Sequence, residues 1–204
     1  HKSSHSFPTR RSSDLIPRSE TEMLVESALA WLQTHPSARK GVDVGTGSGC
    51  IAVSLVCKYP DLHMLATDVS PAALEVAKRN AQKHNSADRI RFTLCDLLPE
   101  NPQPFDLVCA NLPYIPTDKL IEVNSLPWEP SLALDGGDGG LNIISKLLQK
   151  VPAFLNSQAL ILLETEATLG AQTFQLAKDF FPDTDTTLHK DLFDRDRMIR
   201  IELR

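Results

Sequence analysis

The stretch Asp43-Val44-Gly45-Thr46-Gly47-Ser48-Gly49 constrains this chain more than any other. Gly41 to Val44 is short and apolar enough for a strand, and Cys50 to Tyr59 reads as a mostly apolar helix stopped by Pro60. A strand, a GxGxG turn and a helix in that order set bare backbone against a ligand at a helix N-terminus. The turn is not a phosphate loop, because no Lys follows its last glycine. It departs from the dinucleotide pattern GxGxxG, because Gly47 and Gly49 are only two apart. Read without a ligand, it is a tight turn beneath a helix.

Around this turn, strands and helices alternate. Met23, Leu24, Ala28, Trp31 and Leu32 recur at helical spacing from Glu20, and His35-Pro36-Ser37 ends the run. His63 to Thr67 is the second strand, with Asp68 at its carboxyl end. Ser70-Pro71 starts a helix that runs to about His84. Arg89 to Leu94 is a third strand leading to Asp96, and Phe105 to Ala110 a fourth leading to Asn111. Pro113 to Asp138 breaks the rhythm with four prolines and little periodicity, and is expected to be a long loop or lid. Gly139 to Val151 returns to helix, Gln158 to Leu163 is a fifth strand, and Leu169 to Phe180 is a last helix. Thr186 to Leu203 suits two strands around a turn near Arg195, an antiparallel edge on a mostly parallel sheet.

With 204 residues, 42% of them hydrophobic, the chain can bury the core such a sheet needs in one domain or one domain plus an appendage. The opening HKSSHSFPTRRSSD has five serines and no apolar periodicity, and is expected to be a non-native or disordered leader over residues 1–14. It contributes +2 to a net charge of −5, leaving −7 on the body. An acidic body disfavours grip on nucleic acid through bulk charge, so no stable nucleic-acid partner is expected. No apolar run approaches the 18 or so residues of a membrane span, so no membrane partner is expected. Cys50, Cys57, Cys95 and Cys109 fit neither a metal clamp nor a dense disulfide scaffold, which points to a reducing, cytoplasmic setting. No metal site is expected.

The candidate chemistry gathers at strand ends, where open α/β sheets bind ligands. Asp68 follows Gly49 by 19 residues, where an acid can accept hydrogen bonds from both hydroxyls of a ribose. Asp43, directly before the glycines, could accept backbone N–H groups of the turn or reach the ammonium of an amino-acid ligand. Left unpaired near the core it would be expensive. Asn111-Leu112-Pro113-Tyr114 offers an amide oxygen, a backbone carbonyl and an aromatic face, the parts needed to hold a planar NH2 group by both protons and stack on it. The bland readings are a solvent-facing Asp68 before a helix cap, and a Pro turn with a core Tyr at 113–114.

Taken together, IPRSETEMLVESAL, DVGTGSGCIAVSL, ATDVSPAALEVAKRNA, ANLPYIP and WEPSLALDGGDGG resemble the protein-(glutamine-N5) methyltransferases that modify class I peptide chain release factors, from Ile16 to Arg204. The resemblance implies a class I methyltransferase fold, Rossmann-like, with a mostly parallel seven-stranded sheet and an antiparallel last strand, occupying residues 15–204. It implies S-adenosylmethionine as cofactor, with Asp43, Gly45, Thr46, Gly47 and Gly49 around its methionine part. Asp68 would bind the ribose hydroxyls, Val69 would be a further cofactor contact, Asp96 with Leu97 would lie at the adenine, and Asn111 beside the cofactor. Asn111 and the Leu112 carbonyl would accept hydrogen bonds from the substrate glutamine of the Gly-Gly-Gln motif, with Pro113 and Tyr114 lining the slot. Arg18, Glu20 and Glu129 would complete the substrate side. The family's separate N-terminal helical docking domain is expected to be absent, since the match starts at Ile16.

Two positions depart from the family pattern. Leu112 stands where Pro is commonest, yet the group required is a backbone carbonyl, which Leu also supplies. Ser19 replaces a usual Pro. Direct transfer to an amide nitrogen needs alignment more than a nucleophilic side chain, so the cysteines read as core or strand residues and no general base is expected. The competing readings are a methyltransferase for an exocyclic amine of adenine or guanine, for which the same Asn, carbonyl and aromatic set would hold a flipped base, and a cofactor-binding interaction module that has lost transfer.

Overall fold

The computed structural model describes residues 19–120 and 134–204. The expected leader over 1–14, Arg18, Glu129 and the side chain of Glu20 lie outside that description. Helix α1 covers Ser19–Thr34, strand β1 Lys40–Val44, α2 Cys50–Lys58, β2 His63–Asp68, α3 Pro71–Lys83, β3 Ile90–Leu94 and β4 Phe105–Ala110. The short strands β5 (Ile115–Pro116) and β6 (Asp135–Gly137) follow. The chain closes with α4 (Asn142–Lys150), β7 (Leu155–Glu164), α5 (Gly170–Phe180), β8 (Asp185–Lys190) and β9 (Asp196–Glu202).

Seven strands form one sheet in the order β3-β2-β1-β4-β7-β9-β8. Neighbours from β3 through β7 pair in parallel, whereas β9 is antiparallel to both β7 and β8. The final strand is thus antiparallel as expected, but it lies one place in from the edge, which β8 occupies. Chain order reverses between β1 and β4, and parallel running puts the carboxyl ends of β1, β2, β3, β4 and β7 on one rim. That is the arrangement in which an α/β sheet opens a crevice for a ligand.

Side-chain alternation along the central strands builds a core on each face. Leu107, Cys109, Leu160 and Leu162 join Leu24, Leu32 and Leu55 of α1 and α2 on one side. Val108, Ala110, Ile161 and Leu163 join Ile144 and Leu147 of α4 and Ala177 of α5 on the other. The same alternation puts Asp43, partnered with Ala66 and Cys109 in neighbouring strands, on the α1–α2 face. Ser70 caps α3 as read, its hydroxyl accepting from Ala73 N at 3.2 Å with Pro71 in the first turn.

Three expectations need correction. Residues 113–138 are not structureless throughout: β5 and β6 pair in parallel, and Ile115 N donates to Leu134 O at 3.0 Å. The helix expected from Gly139 begins at Asn142, because Asp138–Gly140 forms a tighter turn in which Gly139 and Gly140 take positive φ. Strand β7 starts at Leu155 rather than Gln158, its polar opening Asn156-Ser157-Gln158 carrying no apolar signal.

Candidate active site

The glycine turn is held by backbone and by acids. Thr46 N donates to Thr67 O and Gly49 N to Thr46 O, both at 2.8 Å. Gly47 N donates to Asp68 Oδ2 at 2.9 Å, while the other oxygen of Asp68 accepts from Ser70 N at 2.8 Å. Asp68 therefore joins the turn to the start of α3, and each carboxylate oxygen keeps lone-pair capacity for a further donor. The glycines divide their work. A Cβ at Gly45 would lie 2.8 Å from Leu112 Cδ2, and one at Gly49 would lie 2.9 Å from Ala77 Cβ, so both are packed against protein. At Gly47, with φ +54°, a Cβ would meet nothing within 4 Å. The turn faces open space there.

Asp43 lies beneath the turn, fully buried. Its Oδ2 accepts from Thr46 Oγ1 at 2.6 Å and from Ala52 N at 3.2 Å, whereas Oδ1 has no hydrogen-bond partner among the described residues. Removal from water pushes its carboxyl up to about 6, against the opposing pull of the Thr46 and Ala52 hydrogen bonds. Asp96 is exposed at the rim, and Leu97 beside it is buried with φ +63°, a conformation uncommon for a side chain of that size. Thr67 Oγ1 donates to Leu97 O at 2.6 Å, so Thr67 braces both the Asp96–Leu97 turn and, through its carbonyl, the glycine turn. Val69 is 46% exposed beside Asp68 and presents an apolar surface to solvent.

Asn111 leaves β4 next to the end of β1, half-buried, with its Nδ2 donating to Thr21 Oγ1 of α1 at 3.4 Å. Leu112 is buried against Gly45, while Pro113 and Tyr114 are half-buried. Tyr114 is gripped through its backbone: a Cβ at Gly136 would lie 2.7 Å from Tyr114 Cα, and one at Gly140 would collide with the Tyr114 carbonyl oxygen. The Asp-Gly-Gly repeat is thus where β6 and the turn after it close on the Asn111–Tyr114 segment. The structure brings Asp43, Gly45–Gly49, Asp68, Val69, Asp96, Leu97 and Asn111–Tyr114 to one sheet rim. Burial drives the thiol of Cys50 up to about 12 and those of Cys109 and Cys95 above the ordinary cysteine value. Little of the nucleophilic thiolate forms at those three near neutral pH.

A glycine turn and an Asn-carbonyl-aromatic exit share this rim. The family model for the methyltransferase small domain matches residues 20–124. A release factor glutamine methyltransferase of Lactococcus lactis subsp. lactis is 34% identical over 190 residues, covering 92% of this chain and 69% of the relative. The chain belongs to the release factor glutamine methyltransferase family. A second such enzyme, from Cereibacter sphaeroides, is 39% identical over 191 residues, covering 93% of this chain and 66% of the relative. The chain thus spans about two thirds of the length of these relatives. The crystal structure of a release factor-specific protein-(glutamine-N5) methyltransferase from Alicyclobacillus acidocaldarius superposes with a TM-score of 0.59 at 26% identity, covering 93% of this chain and 94% of that one. Among the described residues no helix is long and apolar enough to cross a membrane.

Sequence reasoning missed two members of the site, Thr67 and Glu164, and reached Thr21 only as part of the stretch IPRSETEMLVESAL that carries the family resemblance. Glu164 ends β7 on the same rim, 3% exposed, and accepts from Thr21 Oγ1 at 3.0 Å. Its signal was an acid closing the apolar run Leu160 to Leu163 at a strand's carboxyl end.

Proposed function

We propose that this family member transfers the methyl group of S-adenosylmethionine to the side-chain amide nitrogen (N5) of the glutamine in the Gly-Gly-Gln motif of class I peptide chain release factors. The observation that carries the reading is the contact of Leu112 with Gly45, which sets the acceptor motif directly against the glycine turn. The chain's own residues fit the cofactor. Gly47 opens onto free space, Asp43 holds a buried oxygen without a hydrogen-bond partner among the described residues, and Asp68 lies at the rim with lone pairs to spare. When bound, S-adenosylmethionine supplies an electrophilic methyl group on a sulfonium. Asp68 would accept from the ribose hydroxyls, Val69 and Leu97 would flank the adenine, and Asp43 would face the ammonium.

On the substrate side, Asn111 Oδ1 and the Leu112 carbonyl would each accept one proton of the glutamine NH2. An amide nitrogen is a poor nucleophile because its lone pair is delocalised into the carbonyl. Two acceptors aimed at its protons orient the nitrogen and stabilise the positive charge that grows on it. Tyr114, its backbone held by Gly136 and Gly140, would line the slot. Proton loss follows transfer, and no side chain need act as general base.

The test incubates the full chain with methyl-labelled S-adenosylmethionine and, in parallel, a class I release factor, the same factor with Gln replaced by Glu in Gly-Gly-Gln, and total RNA. Label is expected in the Gln factor alone. Label in RNA would move the acceptor to a nucleobase amine, and no label anywhere from a chain that binds cofactor would leave a binding module. Asp68→Ala is expected to weaken cofactor binding by about 1.5 to 3 kcal/mol in calorimetry, through loss of charge-assisted hydrogen bonds. Unchanged affinity would remove Asp68 from the ribose.

A further inference from the structure

Asn111 is useful to an incoming NH2 group only if its oxygen, and not its own NH2, faces that group. The two ends of a carboxamide have nearly the same shape, so packing alone selects weakly between them. Here the selection comes from a chain of hydrogen bonds whose inner link is buried. Thr21, 2% exposed on α1, donates from Oγ1 to Glu164 Oε2 at 3.0 Å, and Asn111 Nδ2 donates to the same Oγ1 at 3.4 Å. A hydroxyl owns one proton and so donates one hydrogen bond at a time. With that one hydrogen bond donated to Glu164, the Thr21 oxygen can only accept, and the nitrogen of Asn111 must turn toward it. The amide oxygen is then left facing away from Thr21.

We propose that Glu164 and Thr21 are positioning residues that set the direction of the Asn111 amide, and through it the polarity of the acceptor slot. This rests on the role given to Asn111 above. With the relay removed, Asn111 is free to present NH2 to NH2, an arrangement that makes no hydrogen bond. The relay joins α1, β4 and β7 through residues 143 and 90 positions apart, so it also ties the first helix to the slot.

Two measurements on the full chain test it. In Thr21→Val, which keeps the shape and removes the hydroxyl, kcat for methyl transfer to release factor should fall by roughly 10- to 100-fold, with a smaller change in KM and unaltered cofactor affinity. Thr21→Ser, which restores the hydroxyl, should recover most of the rate. Folded Thr21→Val at the parental rate, or Thr21→Ser as slow as Thr21→Val, would overturn the proposal. The second measurement needs no activity and no variant. In isotope-edited NMR of the parent chain, the Asn111 side-chain NH2 protons should show a nuclear Overhauser contact to the Thr21 methyl group, and absence of that contact would overturn the amide direction. Failure of the parent to label any release factor would sink the proposed function, while the NMR contact would still decide the relay.

Discussion

Alanine at Asn111 is expected to slow single-turnover methyl transfer by about 100-fold or more, the scale on which one preorganised transition-state partner counts. Fold and cofactor affinity should stay close to parental. The half-buried side chain stands just beyond β4, outside both core clusters, and its hydrogen bond to Thr21 is long. Truncation therefore removes an acceptor for the substrate without opening a core cavity. Leu112→Pro is the informative partner. It keeps the carbonyl that would take the second substrate proton but loses side-chain packing against Gly45, so its effect should be smaller than that of Asn111→Ala. The measurement uses saturating labelled cofactor with the Gln and Glu forms of the release factor. Undiminished turnover by the alanine variant would show that the acceptor amide is held elsewhere.

The second large effect concerns Asp43 and pH. The carboxyl rises to about 6 in the folded chain from an ordinary value near 3.8, because burial penalises its charge. A group raised on folding stabilises fully below its unfolded pKa and loses that contribution as pH climbs through the folded one. Between pH 4 and pH 7, Asp43 should therefore withdraw about 2 kcal/mol of stability from the cofactor-free chain. Asp43→Asn cannot ionise, so urea unfolding of the two proteins should show the difference between them shifting by that amount toward the variant across this window. A pH-independent difference would mean that Asp43 is already charged at pH 4 when folded. The buried, costly charge also suits a cationic ligand. Cofactor binding near pH 6 should release protons, as calorimetry in buffers of different ionisation enthalpy would detect.

What could be read from the chain beforehand was what local pattern encodes. The glycine turn, Ser70-Pro71 and the run Phe105 to Ala110 each declare their structure within a few residues, and each formed where expected. Asp68, Asp96 and Asn111 were legible because strand ends are legible and parallel strands collect their ends on one rim. The rest depends on register between distant segments. Nothing near Thr21 announces Glu164, and nothing in the glycine spacing says that Gly45 packs on Leu112, Gly49 on Ala77 and only Gly47 faces open space. The pairing of β5 with β6 was hidden for the same reason, since two- and three-residue strands rich in Pro and Gly carry no period.

The placement of α1 has a consequence for how the molecule comes into being. That helix is the first described element to be synthesised, yet its buried partners are among the last: Thr21 bonds to Glu164, and Trp31 Nε1 donates to Glu202 Oε1 at 2.9 Å. During translation α1 can meet α2 early, but its seat on β7 and β9 is completed only when those strands have emerged, and closing so long a loop is slow. The slot around Asn111 is therefore finished only when the chain is nearly complete. A nascent chain stalled before β7 carries the residues of the glycine turn and Asp68 but lacks Glu164, and with it the support behind Asn111.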